Sequence, residues 1–264
     1  GLNSFVFWDD NPIEREKVRN KLKDVEVVEP NEDITSWPKQ LLEFKGFSKF
    51  SISKEDKAKT KQYKIREKFV QDKNTSRDEI HYLKSINIKP MIVKIDNSTL
   101  NRTVQMCQKT NQFNLRTIRY DAKDILRLKK ENNSFLVSLS DNYGDHGIVA
   151  FVSLKIIKKK FLFIDTFLMS CRVLGRYLES WILNEIKKIA IKSELKSILV
   201  EYSPTKRNIV AKNFILEHNF EKVSKKNNLQ YVNFIQKINN NKDSEYFTLS
   251  TKSKISNLEI YEKH

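Results

Sequence analysis

Two cysteines, Cys107 and Cys171, are all that this chain of 264 residues carries. That excludes a disulfide framework, and no paired Cys/His spacing suggests zinc. No apolar run reaches the roughly 18 residues that a membrane-spanning helix needs. No secretory signal opens the chain, so a reducing cytoplasm is the expected setting. No internal repeat is visible. No zinc finger, RNP pattern or other compact nucleic-acid motif occurs either. Membranes and nucleic acids are therefore not expected as partners.

What is present is charge. Lys and Arg number 49 against 33 Asp and Glu, a formal net charge of +16 and a pI near 9.6. The lysines are spread along the chain among Asn and Ile residues. The longest basic run, Lys158–Lys160, reads as a hairpin turn. Such an excess permits nucleic-acid or anion binding, but lysines spread in this way point first to a generally Lys-rich proteome; acidic substrates such as phosphates are favoured over neutral ones.

The chain is organised around Phe161–Ala190. Its first part, Phe161 to Met169, is apolar with one acid, Asp165, and reads as a buried strand. Its second part spaces Leu178, Trp181, Ile182, Ile186 and Ile189 at a helical period. The junction between them is Ser170-Cys171-Arg172-Val173-Leu174-Gly175-Arg176. Two readings stand. The N–H groups of a helix start, with Arg172 and Arg176, offer a phosphate site. Alternatively this is an ordinary strand-to-helix turn with Gly175 at its bend.

At the front, the spacing predicts a strand over Ser4–Trp8 that ends in Asp9 and Asp10, then a helix over Ile13–Leu22. Two carboxylates at the carboxyl edge of a sheet can hold Mg²⁺. The same residues also read as a helix cap, with Asp10 or Asn11 capping and Pro12 at the first position. Val25–Val28 is expected as a strand, Trp37–Phe44 as a helix and Phe47–Ile52 as loop or strand. Glu55–Gln71 is expected as a helix and Asp72–Arg77 as a turn-rich boundary. Further on, strands are expected at Lys89–Ile95, Phe135–Leu139, Ile148–Ile157, Phe161–Met169, Ser197–Tyr202 and Gln230–Gln236. Helices are expected at His81–Ile86, Thr99–Gln108, Asp121–Lys129 and Asn208–His218. Asn239–His264 reads as a polar, loosely packed tail.

This order resembles the GNAT acyltransferase fold. Arg172 to Tyr177 is similar to that fold's acyl-CoA pyrophosphate loop. Arg172 and Gly175 match its pattern, and Tyr177 stands where a small residue is expected. Asn208 and the helix after it resemble the second GNAT motif. There Ile215 stands where a tyrosine general acid is common. The segments FVFWDDNPIEREKVR, QKTNQFNLRTIRY, DNYGDHGIVA, IDTFLMSCRVLGR and VEYSPTKRN together resemble an FkbH-like protein. That family fuses a phosphatase-like domain of the haloacid dehalogenase (HAD) superfamily to a GNAT-like domain.

The resemblance implies an α/β chain: an incomplete HAD Rossmann-like segment over 1–76, a linker over 77–88, a GNAT-like domain over 89–238 and a tail over 239–264. It implies Mg²⁺ at Asp9 and Asp10. It implies CoA or a phosphopantetheine arm at Arg172, Val173, Leu174, Gly175, Arg176 and Asn208. The implied activity removes phosphate from a phosphorylated glyceryl substrate and loads the acyl group onto an acyl carrier protein. The alternative is a GNAT-like CoA-binding module or N-acetyltransferase. A HAD nucleophile motif, DxDxT, is absent from the sequence, so the nucleophile is expected upstream of Gly1 and the chain is read as a fragment.

A tight turn at Lys158–Lys160 would pair residues whose numbers sum to about 317. Cys171 then falls opposite His146, beside Asp145. That arrangement would make a thiolate nucleophile able to hold an acyl group.

Overall fold

A computed structural model describes residue 2 and residues 5–47, 54–224, 229–238 and 243–262. Two compact units divide between Lys59 and Thr60.

In the first unit, β1 (Val6–Trp8) and β2 (Glu26–Val28) pair in parallel, with α1 (Pro12–Lys21) between them in the chain. Asn11 caps α1 by accepting from the Ile13 N–H, and Pro12 opens it where no N–H is needed. Trp37, at the start of α2 (Trp37–Glu43), meets Trp8 edge-on at 6.2 Å. No residue of this unit whose side chain is described is buried. These elements are too few to show a HAD fold. Beyond Phe47, the segment expected at Phe47–Ile52 lies outside the described residues.

The helix α3 (Lys54–Thr75) runs through the junction between the units. Asp72–Thr75, expected as a turn, completes this helix. In the second unit Phe69 of α3 and Leu83 of α4 (Glu79–Ser85) are fully buried, in one cluster with Ile86 and Ile260. Residues 60–88 fall in the second unit.

The main sheet of the second unit places β3 (Lys89–Val93), β5 (Asn133–Asp141), β6 (Gly144–Ile157), β7 (Phe161–Met169), β8 (Ser197–Tyr202), β10 (Glu245–Ser250) and β9 (Glu221–Lys222) side by side in that order. A short β4 (Phe113–Asn114) pairs additionally with β7. The β5–β6–β7 meander is antiparallel, and β8 lies parallel to β7 after the crossover helix α7 (Leu178–Lys192). This is the arrangement that the GNAT resemblance implies.

Alternation along the strands builds two layers. Phe135 and Val137 join the core that α7 and α8 (Ile209–Glu217) cover. Leu136 between them joins the core beneath α5 (Asn97–Lys109) and α6 (Ala122–Glu131). Asp96 and Asp121 each close a capping box on α5 and α6.

Two expectations fail toward the C-terminus. Gln230–Gln236 is not a strand but part of helix α9 (Leu229–Ile238). Tyr231, Phe234, Ile235 and Ile238 recur at helical spacing, and Tyr231 and Phe234 pack edge-on against Phe161 and Phe163 at 4.8 and 4.9 Å. A short apolar run does not reveal its period. The last strand is instead β10, within the segment expected as a loose tail. Its Tyr246, Phe247, Thr248 and Leu249 are all buried. Burying one such aromatic side chain stabilises by roughly 1.5–3 kcal/mol, enough to hold the segment in the sheet.

Candidate functional site at the carboxyl ends of the parallel strands

Strands β7 and β8 pair only from Leu162/Ile198 to Ile164/Val200. Beyond that point they part. The next residues are Asp165 on β7 and Glu201 on β8, each the one charged residue in its strand. Arg116 joins them. Its Nη1 donates to Asp165 Oδ1 at 2.8 Å, and its Nε lies 2.7 Å from Glu201 Oε2. Tyr120 donates its hydroxyl to Asp165 Oδ2 at 3.1 Å, and Ser244 Oγ donates to Glu201 Oε1 at 2.7 Å. Glu201 is 3% exposed. Burial pushes the Arg116 guanidinium down, but the charges of Asp165 and Glu201 outweigh it and hold it above its ordinary value. Burial likewise raises the Tyr120 and Tyr246 hydroxyls.

The parting is not empty. Phe113 and Asn114 of β4 pair with Met169 and Leu168, the Leu115 N–H donates to the Phe167 carbonyl, and the Ser203 N–H donates to the Leu115 carbonyl. Phe113 and Leu115 are fully buried. The amide of Asn208 pins this segment: its Nδ2 donates to the Asn114 and Ser203 carbonyls, both at 3.0 Å. Its Oδ1 accepts from the Thr205 N–H and the Tyr202 hydroxyl. Expected to bind a cofactor, Asn208 is instead a fully satisfied, fully buried clamp.

The Ser170–Tyr177 loop stands beside this parting. The Val173 and Leu174 N–H groups close a 3₁₀ turn on the Ser170 and Cys171 carbonyls. Among the described residues the N–H groups of Gly175, Arg176, Tyr177 and Leu178 have no protein acceptor. Gly175 has φ +85°, in the region that favours glycine, and Tyr177 is held in the same left-handed region at φ +53°. Lys73 Nζ donates to the Gly175 carbonyl at 3.3 Å and pairs with Glu79 at 2.8 Å. On α7's first turn sits Glu179, half-buried, with its Oε2 unpartnered. Burial raises its carboxyl to about 7, and Glu217 adds to the shift.

The arginines of the loop face the protein. Arg176 is fully buried: its Nε donates to Asp141 Oδ2 at 2.7 Å, and its guanidinium lies 3.7 Å from the Phe69 ring centroid. Arg172 donates to the His146 carbonyl at 2.7 Å, the Ile148 carbonyl at 3.1 Å and Gln62 Oε1 at 3.0 Å. Both hold the loop's shape rather than present charge to a ligand.

The expected Cys171–His146–Asp145 group does not assemble by register. Ile157 pairs with Phe161 and Ala150 with Met169. The turn is one residue longer than the tight form, and a bulge at Asp165 adds another. Continued past Met169, the register sets Cys171 level with Ile148. The His146 ring is engaged by Asp141, Nε2 to Oδ1 at 3.0 Å, and Asp145 accepts from the Gly147 N–H. Burial pushes the Asp141 carboxyl up, but His146 and Arg176 overcome this and hold it below the usual carboxylate range. Cys171 is half-buried, whereas Cys107 on α5 is fully buried and its thiol is pushed up to about 12.

Nothing in the structure supports Mg²⁺ at Asp9 and Asp10. Asp9 Oδ1 accepts from the Asn11 N–H, and Arg15 donates to the Asp9 and Asp10 carbonyls. Among the described residues no third His, Cys, Asp or Glu joins them. For CoA, the N–H groups at Gly175–Leu178 suit a diphosphate. The inner edge of β7 from Phe167 to Met169 is already paired by β4 and Leu115.

No family model matches the chain, and no curated protein matches it. Among solved structures, the ribosomal-protein-S18-alanine N-acetyltransferase from Escherichia coli overlays 64% of this chain and 99% of its own, at 12% identity and a TM-score of 0.44. A GNAT-family acetyltransferase from Staphylococcus aureus Mu50 overlays 62% of this chain and 100% of its own, at 12% identity and a TM-score of 0.46. Rv2747 from Mycobacterium tuberculosis, solved in complex with CoA and NLQ, overlays 61% and 98%, at 12% identity and a TM-score of 0.44.

The Arg116–Asp165–Glu201 cluster was not anticipated from the sequence. The signal was there: single acids inside the apolar runs FLFIDTFLM and SILVEY. A buried acid needs a cationic partner.

Proposed function

We propose that the second unit is a GNAT-type acyltransferase acting on a thioester of CoA or of a phosphopantetheine arm. The observation that carries this is the parting of the parallel strands β7 and β8 at Ile164/Val200. The half-buried Asp165 and the buried Glu201 stand at the parting, and N–H groups that find no acceptor among the described residues stand beside it. Crevices at the carboxyl ends of parallel strands are where such sheets bind ligands. In this reading the N–H groups of Gly175–Leu178 take the phosphate oxygens. The arm enters where Phe113–Leu115 now lies, so that segment moves aside as the ligand binds. When bound, the ligand supplies the acyl group: the accepting nucleophile bonds to the thioester carbonyl carbon, the C–S bond breaks, and the thiolate leaves as the free thiol with the proton that Glu201 has removed from the nucleophile. Glu201 takes the proton of the accepting nucleophile, and Arg116 keeps Glu201 and Asp165 in place. The test is acetyl transfer from acetyl-CoA to a panel of amines, read by mass spectrometry. Glu201→Gln is expected to lower the rate by at least about a hundredfold, in the range of a lost general base. Equal rates for the variant and the wild type would remove Glu201 from the reaction.

A second reading retains the acyl carrier protein and a phosphorylated substrate. One observation favours it. Three of the segments that resemble FkbH-like proteins supply the residues at this crevice, Asn114, Arg116 and Tyr120, then Asp165, then Glu201, Ser203 and Asn208, and a fourth supplies Asp141 and His146, which hold the neighbouring loop through Arg176. Phosphopantetheine without the nucleotide would then bind as tightly as CoA.

A further inference from the structure

The opposite end of the same sheet has a different character. There β7 and β8 begin and β10 ends, three neighbouring strands held by the Leu162/Ile198 and Ser197/Ser250 pairs. Lys158, Lys159 and Lys160 form the turn into β7, Lys192 ends α7, Lys196 precedes β8, and Lys252 follows β10. All six are exposed, and among the described residues none of them has an ion pair. One acid, Glu194, stands on these connections. The Lys158–Lys160 turn is closed by the Lys160 N–H on the Ile157 carbonyl at 2.9 Å, with φ of +48° at Lys158 and +54° at Lys159. Both central residues of such a turn favour Asn-Gly, and lysine is strained there. The turn thus carries two lysines at positions where local backbone preference opposes them. Ile156 and Ile191 lie at the same end of the fold and are 46% and 53% exposed.

We propose that this end of the sheet is a docking face for an anionic membrane surface. Lysines without a planar fork, on short turns with no aromatic platform, suit diffuse lipid charge better than bases or single phosphates. The two isoleucines give the face an apolar foot at the lipid boundary. The lack of a membrane-spanning run, from which no membrane contact was expected, has no bearing on a face of this kind. Docking here leaves the carboxyl-end crevice, at the far end of β7 and β8, open to solution.

The test is sedimentation of the full chain with phosphatidylcholine vesicles, with and without phosphatidylserine. Binding is expected only with phosphatidylserine and is expected to weaken as salt is raised. Lys158→Glu/Lys159→Glu/Lys160→Glu is expected to weaken it by roughly a hundredfold, at about five-fold per lysine. Lys158→Asn/Lys159→Gly separates docking from folding: it should raise the melting temperature and lower vesicle binding together. Ile156→Ser/Ile191→Ser should also lower binding. Equal binding to pure phosphatidylcholine would overturn the proposal. So would tighter binding to a DNA duplex than to phosphatidylserine vesicles, or vesicle binding unchanged in the lysine variants.

Discussion

Arg176 and Asp141 form an ion pair in which neither side chain is exposed at all, Nε to Oδ2 at 2.7 Å. The pair ties the Ser170–Tyr177 loop to the end of β5, and His146 completes it on the other carboxylate oxygen. Removing one member strands a buried charge. Arg176→Ala is therefore expected to destabilise the second unit by about 3–5 kcal/mol in urea unfolding. Arg176→Met with Asp141→Leu should cost much less than the two single changes summed. The Asp141 carboxyl is held low, so its stabilisation is present above the ordinary carboxylate range and is lost as pH falls through its lowered value. Additive costs in the double variant would contradict this assignment.

Glu179 has the opposite sign. Its carboxyl is raised to about 7, so the folded state holds the proton longer than the unfolded chain does. Stability should fall as pH rises from the ordinary carboxylate value to about 7, by on the order of 1–3 kcal/mol. Glu179→Gln should remove that fall and be the more stable protein at alkaline pH. The charge also stands beside the acceptor-free N–H groups. Anion binding there should therefore weaken above neutral pH in the wild type and not in Glu179→Gln. Parallel pH profiles for the two proteins would refute the assignment.

The two thiols should differ. Cys107 is fully buried with its thiol pushed up to about 12, whereas Cys171 is half-buried at the loop. Iodoacetamide is expected to label Cys171 at least tenfold faster at neutral pH, because only the thiolate reacts. His146→Ala should leave that rate within about twofold, because the ring is held by Asp141 and not by the thiol. A strong slowing would restore the His146–Cys171 pairing that the register removes.

The sheet was legible where the sequence carries long one-sided patterns. Phe161–Met169, Ser197–Tyr202 and the α7 periodicity stand where the sequence places them. Short apolar runs misled. Tyr231–Ile238 hides a helical period in a segment short enough for a strand, and Glu245–Ser250 sits inside a polar stretch. The loop was found, but the direction of its arginines was not, because the Arg176 partners, Phe69 on α3 and Asp141 at the end of β5, are distant in sequence. A register sum carried from one turn missed the bulge at Asp165, and one slip changes every pairing beyond it. The acids of the crevice needed the parallel pairing of β7 with β8 before they could be seen as neighbours.

The central claim is that the carboxyl-end crevice receives a thioester arm. Hydrogen exchange of the Leu115 and Ser203 amides, measured with and without CoA, tests it most directly. Both are held in the parting, one donating to the Phe167 carbonyl and the other to the Leu115 carbonyl. CoA is expected to protect the Gly175–Leu178 amides and to speed exchange at Leu115 and Ser203 as the segment gives way to the arm. Unchanged exchange at all of these amides under saturating CoA would contradict the account.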